Sequence, residues 1–124
     1  MKYDEFIICP VRGATKKEKR AIDNYIKRVE SEGKRVYYPP RDTDQNDPVG
    51  LEICKNNRYA IRHSKKISVY WNGKSTGSVF DFGMYFMELF YTPKKKIKII
   101  NKDEVLKMKT SKKSFHNVLL KLSE

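Results

Sequence analysis

Gly77-Ser-Val-Phe-Asp-Phe-Gly83 lies between a strand-like run, Ile67 to Trp71, and a long apolar helical segment that continues through Phe90. A strand that passes through a short loop into a helix is the repeating unit of α/β proteins. In open α/β sheets, ligands bind at such turns, beyond the carboxyl ends of the strands. The sequence places Asp81 there, as a lone carboxylate in the first turn of an otherwise apolar helix. Desolvating an ionised acid is costly, so this carboxylate needs compensation or has a chemical role.

Two interpretations of Asp81 follow from its position. Ser78-x-x-Asp81 has the spacing of a capping box, with Ser78 as the N-cap and Asp81 near the first amide groups. Acids in unusual surroundings also cluster at functional sites. The two roles are compatible, and both are kept as predictions.

The rest of the chain repeats the alternation of strand and helix. Apolar runs predict strands over four segments: Phe6–Cys9, Lys34–Tyr38, Ile67–Trp71 and Lys96–Ile100. Start and stop signals predict helices over the intervening segments: Thr15 to Gly33, Asp47 to about Ser64, Ser78 to about Thr92, a short turn or helix at Asp103–Lys107, and Phe115–Leu122. The predicted fold is a three-layer, flavodoxin-like (Rossmann-like) α/β sandwich with a mainly parallel sheet of four to five strands. Residues 1–124 form one domain.

Helical spacing also predicts which side chains face the core. The second helix turns Leu51, Cys54 and Ile61 inward, and the last helix turns Phe115, Val118, Leu119 and Leu122 inward.

The composition limits the classes of function. The chain has a formal net charge of +12, and residues 93–124 alone carry 10 Lys against 3 Asp and Glu. This lysine-rich segment lacks the interleaved aromatic residues of single-strand binders, so we expect a solvated face that attracts small phosphorylated ligands, rather than nucleic acid. Two cysteines and two histidines are too few to predict a metal site, and no cofactor is expected. Without a leader or a membrane-length apolar run, the expected location is the cytoplasm.

Three loops leave the carboxyl ends of the first three strands and supply the candidate site. Pro10–Ala14 offers Arg12 and Gly13 ahead of a helix, a suitable place for an anion. The next loop offers three charged side chains, Arg41, Asp42 and Asp44. They either form hydrogen bonds with the sugar or base of a ligand, or belong to a solvated turn. The third loop offers Asn72, Gly77 and Ser78. Trp71 ends its strand, where it either stacks on a base or packs in the core.

Three segments resemble the nucleoside 2-deoxyribosyltransferase-like family, which is related to the 2′-deoxynucleoside 5′-phosphate N-hydrolases. They are Phe6-Ile-Ile-Cys-Pro-Val-Arg-Gly13, Tyr37-Tyr-Pro-Pro-Arg-Asp-Thr43 and Gly77-Ser-Val-Phe-Asp-Phe-Gly83. The last is similar to the family's G-x-x-x-E-x-G element, whose acid is the nucleophile. The resemblance implies that Asp81 attacks the anomeric carbon. It also implies that Arg12, Gly13 and Ser78 hold a 5′-phosphate or 5′-hydroxyl, and that Asp42 and Asp44 hold the sugar or base.

The sequence is compatible with two functions. The first is an enzyme that cleaves or transfers the N-glycosidic bond of a nucleoside or nucleotide. The second is a protein that senses or sequesters a nucleotide-like, ADP-ribose-type ligand without turnover. Asp81 stands where the transferases carry Glu, and no acid lies between Glu52 and Asp81, which favours the second. The carboxylate retained at the nucleophile position favours the first, which is the function we expect, because a phosphate binder gains nothing from an extra negative charge. In the alignment with the family, Arg58 takes the place of the missing acid, and His63 is interpreted as a cap at a helix end.

The resemblance also implies a homodimer or a larger homo-oligomer. The helix after Asp81 carries more large apolar side chains, among them Phe86 and Phe90, than one buried face requires.

Overall fold

Four short runs of apolar residues pair side by side as the strands of one parallel sheet. The computed structural model describes all 124 residues. The strands are β1 (Tyr3–Ile8), β2 (Val36–Tyr37), β3 (Ser64–Val69) and β4 (Ile97–Ile99), in the spatial order β2-β1-β3-β4. The helices are α1 (Lys16–Ser31), α2 (Pro39–Asp42), α3 (Leu51–Arg62), α4 (Thr76–Tyr91), α5 (Lys102–Met108) and α6 (Phe115–Leu122).

Alternate residues of the strands enter two separate cores. On β3, Ile67 and Val69 join the larger cluster, which also contains residues of α3, α4, α5 and α6. The residues that follow Ile8 and Val69, Cys9 and Tyr70, join a smaller cluster built with α1. The protein is therefore a three-layer, flavodoxin-like α/β sandwich with an all-parallel sheet, as predicted.

The strand order reverses between β1 and β3, and this reversal positions the site. From β1 the chain passes into α1 and on to β2, whereas from β3 it passes into α4 and on to β4. The loops after β1 and β3 consequently run to opposite faces of the sheet and leave a crevice between them, the usual ligand position in this class of fold.

The predicted element order is confirmed, with corrections at several boundaries. β2 contains only Val36 and Tyr37, and Pro39–Asp42, predicted as the start of a loop, is a short helix. α3 begins at Leu51 after Gly50, rather than at the predicted Asp47-Pro48. The Asp47 carboxylate still accepts hydrogen bonds from the backbone N–H groups of Glu52 (2.7 Å) and Ile53, so it caps the helix from a distance along the chain.

Three predicted core side chains lie at the surface instead. Leu51, Phe115 and Val118 are exposed, and each stands in the first turn of its helix. Ile61 and Leu119 are buried as predicted.

Two structural features are absent from the fold. None of the helices combines the length and the apolarity needed to cross a membrane. No three His, Cys, Asp or Glu side chains are grouped so that they could hold a metal ion.

Candidate functional site

The loop between β3 and α4 sets the start of α4. The Asn72 side-chain oxygen accepts hydrogen bonds from the backbone N–H groups of Lys74 (2.8 Å) and Ser75 (3.1 Å), which turns the chain sharply. Gly73 has a φ of +76°, and a Cβ there would lie 2.9 Å from the His116 ring, so this position suits glycine alone. The turn leaves Ser75 extended, and its hydroxyl caps α4 by accepting from the Ser78 backbone N–H at 3.1 Å.

The predicted capping box at Ser78 and Asp81 is therefore wrong. The helix begins three residues earlier than predicted, so Ser78 lies inside its first turn and Asp81 lies in the second. The Ser78 hydroxyl is buried and has no hydrogen-bond partner. Asp81 caps nothing, which removes the structural interpretation of this carboxylate.

Asp81 lines a cavity of about 590 Å³ at the carboxyl end of the sheet. Side chains and backbone from the loop after β1, from α2 and the segment after it, from α3 and from the start of α4 form the walls. The lining residues are Cys9, Val11, Arg12, Pro39, Gln45, Ile53, Cys54, Asn57, Lys74, Ser75, Thr76, Gly77, Phe80 and Asp81. Asp81 is the only carboxyl group among them.

Burial raises the pKa of Asp81 from its ordinary value to about 7. Desolvation is the dominant cause, and a hydrogen bond from the Asn57 side chain lowers the pKa by a smaller amount. No lysine or arginine forms an ion pair with this carboxylate, although the chain is strongly basic. Asp81 therefore changes its ionisation near neutral pH, as suits a group that must gain and lose a bond or a proton.

A chain of hydrogen bonds orients the partner of Asp81. The Asn57 side-chain oxygen accepts from the Thr43 hydroxyl at 3.0 Å, and Thr43 is in turn 2.6 Å from the Tyr37 hydroxyl. Because the oxygen of Asn57 is occupied, its amide group is left to donate to Asp81. These hydrogen bonds start at Tyr37 of β2 and hold the Asn57 side chain in one orientation.

Cys9 shares the cavity with Asp81 and is inert. Burial raises the pKa of its thiol to about 12, and the nearby negative charge of Asp81 adds to the increase. A thiol held in the neutral form is a poor nucleophile, so Cys9 contributes packing at the cavity floor.

A second cavity of about 610 Å³ adjoins the first. Three residues, Arg12, Lys74 and Ser75, line both cavities. The remaining walls of the second cavity come from the loop after β1, the start of α1, the loop after β3 and α5: Gly13, Thr15, Glu18, Asn72, Glu104 and Met108. Two cationic side chains, Arg12 and Lys74, thus stand at the boundary between the two cavities.

The structure brings together five of the predicted site residues. Arg12, Gly77 and Asp81 line the first cavity, and Arg12, Gly13 and Asn72 line the second.

Arg41, Asp42 and Asp44 do not line either cavity. The Arg41 guanidinium pairs with Asp42 and with Glu30, and Asp42 also accepts from the Tyr38 backbone N–H at 2.8 Å. Asp44 accepts from the Asn46 backbone N–H. The alternative interpretation therefore holds for these three side chains: they belong to a solvated turn and form hydrogen bonds with neighbouring groups of the protein.

Trp71 is buried and cannot stack on a ligand. Only 1% of its surface is exposed, its ring packs edge-on against Phe82, and its indole N–H donates to the His116 ring at 2.8 Å. The prediction of base stacking is therefore wrong, because α6 returns to cover the end of β3. Ser78, another predicted binding residue, is buried and lines neither cavity.

Sequence reasoning missed several residues of the cavity, of which Asn57 and Lys74 bear most directly on chemistry. Ile53 and Asn57 are four residues apart on α3 and share the face that lines the cavity. The family alignment pointed to Arg58, which instead lines a separate groove between α3 and α4. Helical spacing from Ile53 was the available signal. His63 is the C-terminal cap residue of α3, as predicted.

Comparisons with family models, with curated protein sequences and with solved structures gave no significant match to this chain.

Proposed function

We propose that the protein cleaves or transfers the N-glycosidic bond of a nucleoside or nucleoside 5′-phosphate, with Asp81 as the nucleophile, in the manner of the nucleoside 2-deoxyribosyltransferase-like family. The observation that carries the proposal is the state of Asp81. It is the only carboxyl group in its cavity, it titrates near neutral pH, and no cation neutralises it. A binding protein for phosphorylated ligands gains nothing from such a negative charge, whereas a nucleophile requires it.

The reaction takes place in two steps. In the first, an Asp81 oxygen forms a bond to the anomeric carbon, and the bond from that carbon to the base nitrogen breaks with its electron pair on the base. In the second, water or the hydroxyl or nitrogen of an acceptor attacks the same carbon, releases the carboxylate and gives up its proton to solvent. This is the logic of a retaining glycosidase applied to a carbon–nitrogen bond.

The surroundings of Asp81 suit this chemistry. Desolvation makes its carboxylate more basic and more nucleophilic than an exposed aspartate. Arg12 and Lys74 at the cavity boundary supply positive charge for a 5′-phosphate, and the backbone at Gly13 and Gly77 permits close approach of the substrate. No metal or cofactor enters the proposal.

One observation favours the second candidate, a binding protein without turnover. The cavity contains no second carboxyl group to protonate the departing base. Under this alternative, a nucleotide-like ligand of the ADP-ribose type occupies the same cavity and leaves unchanged.

The test is release of free base from a panel of nucleosides, 5′-nucleotides and dinucleotides, followed by chromatography. We expect release from at least one compound, and a loss of about 10³-fold or more in Asp81→Asn, because the nucleophile is gone. Asp23→Asn, an exposed aspartate on α1 outside the cavity, is the matched control and should retain full activity. Tight binding of one compound without release of base would establish the binding protein instead.

We also propose that the protein forms a homodimer through α4. Its solvent face carries Phe80, Phe86, Met87, Phe90 and Tyr91, all more than half exposed. The two charged residues of the helix, Asp81 and Glu88, point away from that face. Glu88 forms a buried ion pair with Lys95, and Asp81 lines the first cavity. A groove of about 280 Å³ between α3 and α4 adjoins the same surface and is lined by both apolar and charged side chains, among them Met87, Tyr91 and Arg58. A second copy that packs on these five uncharged side chains of α4 covers them without bringing together the like charges of two basic chains at that contact.

A further inference from the structure

The two adjoining cavities together exceed what a single nucleotide fills. The first contains Asp81 and has a volume of about 590 Å³, and the second has about 610 Å³. A cavity of several hundred cubic ångströms already encloses most of a drug-sized ligand. The pair therefore suits a longer substrate with one part in each cavity.

The boundary between the cavities is suited to phosphates. Arg12, Lys74 and the α4 cap residue Ser75 line both sides of it. Neither Arg12 nor Lys74 forms an ion pair with a carboxylate of the protein, so both are free to bind an anion. Two cations at the midpoint of an extended ligand match a pyrophosphate bridge.

The second cavity is suited to hydroxyl groups rather than to more phosphate. Its walls include the carboxylates of Glu18 and Glu104. Glu18 is occupied by hydrogen bonds from Thr15 and Asn72, whereas Glu104 receives only one long bond of 3.3 Å, from the Tyr70 hydroxyl to one of its oxygens. The other Glu104 oxygen is free to accept from a sugar hydroxyl, the role that acids play toward ribose in dinucleotide folds.

The side chains of the first cavity determine which kind of base can leave. A purine or pyrimidine that leaves with the bond electrons needs a proton, and Asp81 is the only acidic side chain of the cavity that ionises near neutral pH. If Asp81 is the nucleophile, it cannot also donate this proton. A quaternary pyridinium base needs none, because the electron pair of the broken bond neutralises its ring nitrogen. Its positive charge also attracts the ionised Asp81 in the bound state.

We infer that the substrate is a pyridinium dinucleotide. The pyridinium riboside lies against Asp81, the pyrophosphate lies against Arg12 and Lys74, and the second nucleoside lies beside Glu104. The inference rests on the proposed function for its reaction. Asp81 bonds to the anomeric carbon, the neutral pyridine leaves, and water then releases the dinucleotide remnant and loses a proton to solvent.

Binding is tested separately from turnover by using Asp81→Asn, so that no ligand is consumed. The probes are nicotinamide adenine dinucleotide and nicotinamide mononucleotide, measured by calorimetry. We expect the dinucleotide to bind at least about tenfold more tightly, because only it reaches the second cavity. Adding Glu104→Gln should remove most of this difference, whereas Asp103→Asn, the adjacent exposed acid of α5 outside the cavity, should leave it unchanged. Equal affinity for the two probes would overturn the inference.

Turnover supplies the second readout on the wild-type protein. We expect nicotinamide to be released from the dinucleotide about 100-fold faster than adenine from adenosine 5′-monophosphate, since the purine lacks its proton donor. Rapid purine release with no preference for the dinucleotide would overturn the inference and leave the proposed function standing. Tight dinucleotide binding without release of any base would overturn the proposed function, and only the binding of the dinucleotide across the two cavities would remain.

Discussion

The ionisation of Asp81 opposes folding. The pKa of this side chain rises from 3.8 to about 7 on folding, because the folded protein removes water from the carboxylate. A group whose pKa is raised in the folded state favours folding at low pH, and this contribution is lost as the pH rises through the folded-state pKa. Between about pH 4 and pH 7, the free energy of unfolding therefore falls because of this one residue. Under the proposed function, the reaction requires this carboxylate, which would account for the presence of a destabilising residue.

Replacement of Asp81 by Asn should stabilise the protein at pH 8. The expected gain in the free energy of unfolding is on the order of 2 kcal/mol, which is less than the full pKa shift implies because the side chain keeps some contact with solvent. The gain should shrink at pH 5, where the folded wild-type protein holds Asp81 protonated. Urea unfolding of both proteins at the two pH values measures it. A loss of stability in Asp81→Asn at pH 8 would show that the carboxylate has a structural role.

At the scale of single elements, the structure shows which of two serines caps α4, and the sequence alone does not. Ser75 and Ser78 both precede apolar helical residues, and either could cap the helix. The Asn72 turn selects Ser75 by making it the last extended residue. Ser78 is left with a buried hydroxyl that has no partner, which is itself destabilising.

We therefore expect opposite effects from two matched substitutions. Ser75→Ala should lower the free energy of unfolding by about 1 kcal/mol, because the backbone N–H of Ser78 loses its acceptor. Ser78→Ala should leave it unchanged or raise it, since an unpaired buried hydroxyl is removed. Thermal unfolding of the two variants is the measurement. The reverse order of stabilities would mean that the helix starts where the sequence pattern predicted.

A buried lysine joins β4 to α3 and α4. Lys95 lies just before β4, and its amino group donates to the Ile61 and Arg62 carbonyls and forms an ion pair of 2.8 Å with Glu88. It thus satisfies the free carbonyl groups at the end of α3 from another part of the chain. The Glu88 carboxylate also forms an ion pair with Arg62.

Lys95→Met should destabilise the protein by about 3 kcal/mol, because it leaves the buried Glu88 carboxylate with less compensation. The double variant Lys95→Met, Glu88→Leu should recover part of the loss, since no buried charge remains unpaired and Arg62, which loses its partner, is more than half exposed. Urea unfolding of the single and double variants checks this. If the single variant were as stable as the wild type, the ion pair would contribute nothing to folding.

The periodic features of the chain could be predicted from its sequence, and the non-local ones could not. Strand and helix order followed from the spacing of apolar residues and from local signals such as the capping box of Thr15 and Glu18, which the structure contains. The burial of Trp71 depends on His116, and the partner of Lys95 lies on another element. Asp81 was predicted from its position after β3, but its neighbour Asn57 depends on how α3 is rotated against α4.

At the scale of the whole molecule, charge and apolar surface are separated. The net charge of +12 repels other copies of the chain over most of the surface. The solvent face of α4 offers the exception, with Phe90 79% exposed and Met87 62% exposed. Phe80 belongs to this face and also lines the cavity of Asp81, so a partner on α4 would lie close to the site.

Phe90→Glu should convert the proposed homodimer into a monomer, because it places a charge at the centre of an apolar contact. Phe115→Glu is the matched control, since Phe115 is a similarly exposed phenylalanine on α6, and it should leave the dimer intact. Sedimentation velocity at micromolar concentration distinguishes the two states. A wild-type protein that sediments as a monomer would remove the proposed interface.

The most direct test of Asp81 as a nucleophile is to trap its glycosyl ester. A 2-fluoro analogue of the glycoside that the protein cleaves slows release of the sugar, because fluorine destabilises the charge that develops at the anomeric carbon. Mass spectrometry of the intact protein and of its peptides should then show one added glycosyl unit, on the peptide that contains Asp81, and none in Asp81→Asn. Release of base without any adduct on that peptide would contradict the account.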